Sequence, residues 1–551
     1  MLHKEIWRFR ASVIPGLTIS IALLSFAVLL FSLLYNFSDA APISIIDDRI
    51  MGLVKFTLYQ ASISTVLSVS AGTVLAWSLT HQANFKGRSL LIALFSSSLV
   101  LPTLIVAFGM ITILGNNGWL NRLSLYLFDY SFGGWLYGLA GILIAHVYLN
   151  ASFASRGLLH SFESIPKEKY RLAKSLNFSA WQRFWLVEWV AIRVTIVSMA
   201  ATIFLLCFTS FAIVLLLGGS PSNNTLEVAI YEAIKIDFDI PFALKLALIQ
   251  LSISIMLVLL SSSFRVGSGN LKTSNSLITW REPKNRGLLQ RAIIALSTII
   301  FILPLIAIVA DGIQADFIRI VTNPLFIRSL SISLAIATVS ACLTVLFALL
   351  LSDARRNFIL PFKISDSKFS KTLELMIAFS GNLYLAIPSL ILGFGFFLIS
   401  QRFEAPMIIW AMIAVLTANV LMSLPFALSI IYPAMQKTAY RYDKLTLSLG
   451  LSTLVRWRYC EIPYLRSSIS YIFALSFALS LGDLGVIALF GSDEITTLPW
   501  YLYQLMGSYR NSDAAGVALI LLVLVLGLFV IIPRIFAKGE NAQYRKSDIQ
   551  L

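Results

Sequence analysis

What this sequence has least of is charge. Only 13% of its residues are Asp, Glu, Lys or Arg, against 58% hydrophobic, a balance that excludes an ordinary soluble globular domain. Cysteine is nearly absent: Cys207, Cys342 and Cys460 are scattered, without CxxC spacing, so no disulfide framework or metal site follows. The four histidines, His3, His81, His146 and His160, are dispersed, and no HExxH or GxSxG occurs, which removes the usual metallopeptidase and serine-hydrolase arrangements. No GxxxxGK followed by Ser or Thr is present either, so the chain has no loop to cradle a nucleotide and cannot be its own motor. An enzyme is disfavoured, and no cofactor is expected on this chain.

What the sequence does have is apolar runs, each long enough to cross a bilayer at 1.5 Å rise per residue. Twelve are expected, at 12 to 34, 54 to 80, 90 to 114, 134 to 156, 192 to 217 and 242 to 264, then 289 to 311, 327 to 351, 375 to 399, 407 to 430, 467 to 490 and 514 to 536. The first run follows Lys4, Arg8 and Arg10 as a signal peptide would, but it is too long for one and is read as an uncleaved span. Placing the amino terminus inside puts 33 of the 42 Lys and Arg on the inner side. The positive-inside rule then expects both termini in the cytoplasm. The net charge of +15 is accounted for by loops facing an anionic leaflet, with no nucleic-acid partner.

The chain also contains one segment twice. Tyr170 to Arg193, slid by 273 residues, falls on the stretch ending at Arg466, matching Ser175 with Ser448, Leu176 with Leu449, Ser179 with Ser452, Arg183 with Arg456, Glu188 with Glu461 and Arg193 with Arg466. Each copy is basic and amphipathic and precedes an apolar span, as a membrane-surface element does. Two further traces of the repeat are LPTLIVAFGM against IPSLILGFGF, and an outer loop in which Thr225 falls on Thr497 and Tyr231 on Tyr503. Both copies lie between the fourth and fifth spans of their halves, so the halves are parallel repeats. The expected division is 1 to 264, with a core from about 54 and a coupling segment at 166 to 190; a polar linker at 265 to 288; and 289 to 551, with a core at about 327 to 536 and a coupling segment at 437 to 463.

These segments resemble the cytoplasmic coupling loop of ABC importer permeases, whose pattern is EAA, three residues, Gly, nine residues, an apolar residue, any residue, and LP. Gly450 and Ile462-Pro463 fit it; Lys444 and Arg171 stand at the Glu position, Asn177 at the first glycine and Trp189-Val190 at the first LP. Together with LSLGDLGVIALFG and TTLPWYLYQLMGSYR, the chain is similar over nearly its whole length to the thiamine and thiamine pyrophosphate permeases of that family.

The resemblance implies the all-α type I importer permease fold, with two homologous six-helix halves in the bacterial inner membrane. It implies an ATPase dimer on the cytoplasmic side, which uses the ATP, and a periplasmic binding protein that delivers thiamine or its phosphates. The residues it sets against the ATPase are Arg171, Leu172, Ala173, Ser175, Leu176, Asn177 and Ser179 in one copy and Lys444, Leu445, Thr446, Ser448, Leu449, Gly450 and Ser452 in the other. A ferric-iron permease of the same architecture remains an alternative, and an ion-coupled secondary transporter a second.

Within the spans, Pro102 and Pro388 interrupt matched helices, which is tolerable only against protein or water. They are read either as lining the translocation path or as static kinks. Asp483 is the carboxylate placed inside a span, where an ionisable group should face the interior or water. With Tyr384 and Phe477 nearby it would suit a cationic thiazolium; a structural role is the other reading.

Overall fold

In the computed structural model the chain is built of helices, with no strand among the described residues, which are 2–38, 47–82, 85–131, 134–219, 222–263, 284–359, 368–401, 406–491 and 495–547. The expected linker, 265 to 288, falls outside these residues up to position 283. Eleven helices are long and apolar enough to cross a membrane, and the bent pair Ser370–Leu385 and Ser389–Ser400 makes a twelfth. Among the described residues the count is thus eleven to twelve against the twelve expected, with Thr103–Phe128 as a candidate span in place of 90 to 114.

The third span of each half is not continuous. The expected run at 90 to 114 divides into Arg88–Ser96, a 3-10 turn at Ser97–Leu99, and Thr103–Leu114, with Pro102 in extended geometry at the break. Its counterpart divides at Pro388, also extended, and the two pieces meet at 90°. Proline lacks an N–H and drives the residue before it out of the α region, so both runs stop at the same repeat position. The fifth span breaks in the same way in each half. One long helical stretch reaches Phe208 and resumes at Ala212; the other reaches Leu481 and resumes at Gly485.

The chain forms two compact units that interleave in sequence. One comprises Ile43–Ile230 and Ser252–Ala315, the other Met1–Pro42, Tyr231–Leu251 and Asp316–Leu551. In the first, the helix Lys284–Ile313 packs on the third and fourth spans: the Tyr148 hydroxyl donates to the Phe301 carbonyl at 2.9 Å, and a Cβ on Gly109 would press on Pro304 at 3.0 Å. The small-residue face of Asp48–His81 is taken up by packing, since Gly72 lies where a side chain would collide with Ala154.

In the other unit the amino-terminal helix, Leu2–Ser38, packs on Pro324–Ile359, where Gly16 abuts Ala354 and the Leu350 carbonyl. Each unit thus takes in the first span that precedes the other repeat half.

Candidate coupling and translocation site

The first repeated segment is a helix, Lys167–Ser175, set off from Leu139–Glu163 by Pro166. The second is the end of one helix of 42 residues, Met407–Ser448. Both end alike. Asn177 and Gly450 take left-handed geometry, at φ 51° and 61°, and the N–H three residues past the helix returns to the carbonyl of its last turn: Phe178 to Ala173 and Leu451 to Thr446, each at 3.0 Å. This is a Schellman ending, which needs Gly or tolerates Asn at the left-handed residue. The departure of Asn177 from the family glycine therefore leaves the shape of the helix end unchanged.

The faces of the two helices also match. Tyr170 and Ala173 are buried in the first, Asp443 and Thr446 in the second, and the pairs Leu172/Leu176 and Leu445/Leu449 are 52 to 62% exposed. Each pair is spaced i, i+4, so it forms one apolar ridge. Arg171, Ser175, Asn177 and Ser179 are exposed beside the first ridge, and Lys444, Ser448, Gly450 and Ser452 beside the second; Ala173 and Thr446 face inward. Ser179 restarts the chain with a capping box, accepting from Gln182 N–H at 3.2 Å while the Gln182 side chain accepts from Ser179 N–H at 2.8 Å.

Directly after each restart the helix widens into one π turn, Phe184–Glu188 and Trp457–Glu461. The wider turn brings together residues five apart. Arg183 Nε donates to Glu188 Oε1 at 3.1 Å, and Arg456 Nε lies 2.8 Å from Glu461 Oε1. Each pair is tied to the last turns of its own half's second span.

On Glu188 the second span supplies Trp77 Nε1 at 3.2 Å and His81 Nε2 at 3.2 Å. The His81 Nδ1 faces the Trp77 carbonyl at 2.9 Å, and its Nε2 meets Arg183 Nη2 at 3.1 Å. With Nδ1 donating to the carbonyl, the Nε2 lone pair accepts from the guanidinium. On Glu461 the span supplies Arg356 Nη2 at 2.6 Å, and Arg356 in turn holds Asp353 at 2.9 Å and Asp443 at 3.9 Å. Arg456 also reaches Asp353 at 3.3 Å. Glu188 and Glu461 are essentially inaccessible, at 0 and 1%.

Composition and motif gave no reason to choose these residues. The available signal was that Arg183 and Glu188 are two of the six identities between the copies.

The residues set along the translocation path come together only in part. Pro102 and Pro388 each sit at the start of a helix, Thr103–Leu114 and Ser389–Ser400. Asp483 lies in the break of the fifth span, one residue before the N-cap Leu484 of Gly485–Phe490, and its Oδ1 accepts the Gly485 N–H at 3.2 Å. The two breaks abut, because a Cβ on Gly485 would collide with Ser389 Oγ and lie 3.6 Å from Asp483 Oδ1. No Lys, Arg or His among the described residues pairs with this carboxylate.

Tyr384 is fully buried and donates to the Leu23 carbonyl at 2.6 Å, which makes it a fastening for the first helix. Phe477 is buried and stacks on Phe473 at 6.2 Å. The position in the first half that matches Asp483 carries Ser210, whose hydroxyl lies 2.9 Å from His146 Nε2, while His146 Nδ1 meets Ser64 at 3.0 Å. The lone histidine is thus a bonded core residue. Beyond the breaks, the repeat partners Tyr231 and Tyr503 share a side-chain hydrogen bond. Burial, with Tyr503 alongside, pushes the Tyr231 phenol up to about 12.

The model of the family described as binding-protein-dependent transport system inner membrane component matches residues 65–267 and again 363–534. The chain is 37% identical over 539 residues to the thiamine transport system permease protein ThiP of Salmonella typhimurium, covering 96% of this chain and 97% of that protein. It is 40% identical over 490 residues to ThiP of Haemophilus influenzae, covering 88 and 89%. The molybdenum transport system permease protein ModB of Azotobacter vinelandii is 27% identical over 186 residues, which are 80% of that protein and 34% of this chain.

Proposed function

Since the chain belongs to the binding-protein-dependent transport system inner membrane components, we propose that it is the permease of a bacterial ABC importer that carries thiamine across the inner membrane. A periplasmic binding protein delivers the substrate and a separate ATPase dimer supplies the energy. The ferric-iron and ion-coupled alternatives give way, because the relatives named thiamine permeases match about nine-tenths of the chain at 36 to 40% identity.

The observation that supports the reading best is the pair of exposed ridges, Leu172/Leu176 and Leu445/Leu449, on helices with the same ending. A symmetric ATPase needs two such docking points, and an exposed apolar ridge set on a rigid helix transmits displacement when a partner buries it. Arg171, Lys444 and the flanking serines form the polar rim of each contact.

Within the membrane, Asp483 and the Pro388 break form the part of the path that a cation would favour, since an unpaired carboxylate where two helices are interrupted attracts positive charge. Pro102 opens the corresponding break in the other half. Tyr384 and Phe477 support this region from their buried positions and do not line it. Both termini lie in the cytoplasm.

The test is ATP-driven uptake by the chain reconstituted in vesicles with its ATPase and binding protein, offered labelled thiamine, thiamine pyrophosphate or ferric iron. Thiamine accumulation is expected; uptake of iron alone, or thiamine uptake without the ATPase, overturns the reading. Orientation is checked by cysteine labelling, with Ser508→Cys reacting from outside and Ser175→Cys only after permeabilisation.

A further inference from the structure

Glu188 and Glu461 do a job that neither docking nor substrate binding requires. Both are inaccessible, so neither can touch a partner on the surface. Both sit at the last position of a π turn inserted just after the coupling helix, and single π turns in otherwise regular helices recur at functional positions. Each binds one arginine from its own turn and side chains from the end of the second span.

We propose that Glu188 and Glu461 are positioning residues for transport, each locking the segment behind its coupling helix to the second span of the same half so that the two move as one body. The inference rests on the importer reading above. The reason is mechanical. A coupling helix pushed from the cytoplasm can turn about the Schellman ending that follows it, where the regular helix is interrupted. A buried charged bond across the next turn removes that freedom, because opening it would strand an ion in a low-dielectric interior. Force then reaches the second span, itself packed on the fourth through Gly72 and Ala154 in the first half.

The test uses the full chain in complex with its ATPase and binding protein, carrying Glu188→Gln, Glu461→Gln, or the double change Arg183→Gln with Glu188→Gln. In the glutamine variants, hydrogen exchange at amides 170–176 or 443–449 is expected to rise about tenfold, as a local opening becomes easier. Thiamine uptake per ATP hydrolysed is expected to fall by about tenfold, with ATPase binding retained.

The double change neutralises the stranded arginine, so its melting temperature should recover while uptake per ATP stays low. Recovery of uptake together with melting temperature would mean that the pair only balances buried charge, and would overturn the proposal. So would unchanged exchange in both glutamine variants. If the unsubstituted complex carries no thiamine, the importer reading fails instead, while the exchange comparison, which needs neither thiamine nor ATP, still decides whether the lock exists.

Discussion

The two coupling segments share an ending, an exposed ridge and a π turn, yet they are held by different chemistry. The first hangs on one carboxylate, Glu188, with one guanidinium and the Trp77 indole N–H donating to it and His81 lying alongside. The second has three carboxylates, Asp353, Asp443 and Glu461, meeting two arginines. The first helix is short and starts at Pro166, whereas the second is the tip of a continuous helix of 42 residues. One design recurs in a sparse and a reinforced version, which shows what the position requires: an Arg and a Glu five apart, plus any donor from the second span.

The sharpest way to break this comparison is to remove the shared arginine. Arg183→Ala leaves Glu188 with Trp77 and His81, and breaking a buried pair in this way costs about 3 kcal/mol or more. Arg456→Ala leaves Glu461 its 2.6 Å contact with Arg356, so roughly half that loss is expected. Melting temperatures of the two variants in detergent check the order; equal losses would mean that the reinforcement is not real.

Next come the ridges. Leu449→Asp and Leu176→Asp should each cost about 2 kcal/mol of ATPase binding, the range of a central apolar contact. Both variants should insert normally, since the spans satisfy their own backbone groups. Pull-down of the ATPase together with membrane yield measures this, and normal uptake with both substitutions present would remove the ridges from the mechanism.

A smaller effect separates the helix endings. Gly450→Ala must hold a β-carbon at φ 61°, for about 1 kcal/mol, although open space surrounds it. The smallest is Asn177→Gly, which should change stability by only a few tenths of a kcal/mol, because asparagine already tolerates that geometry. Thermal unfolding of the pair decides whether the two endings are interchangeable.

The number of spans, the repeat and the coupling helices were legible because hydropathy and self-similarity are carried by neighbouring residues. The prolines at 102 and 388 marked interruptions, but only the structure shows that they divide the helices outright. The Arg183–Glu188 pair could not be paired from spacing, since residues five apart do not meet on a regular α-helix; the π turn that joins them is a local departure without its own motif. Trp77 and His81 in one half, and Asp353 and Arg356 in the other, each come from a helix about a hundred residues away. Asp483 was legible as a buried ion, whereas its bond to the Gly485 N–H depends on the break in the helix there.

The interleaving of the two units bears on how the protein is made. Residues Met1–Pro42 leave the ribosome first, but the stretch they pack against begins at Asp316. At about 5–20 residues per second, the first helix waits roughly 15 to 60 s for that stretch. Its sequence fits that wait, since Val28, Leu29 and Phe31 stay exposed on its surface even in the finished protein. A gene split between the repeat halves would give two products that each carry a helix grouped with the other half.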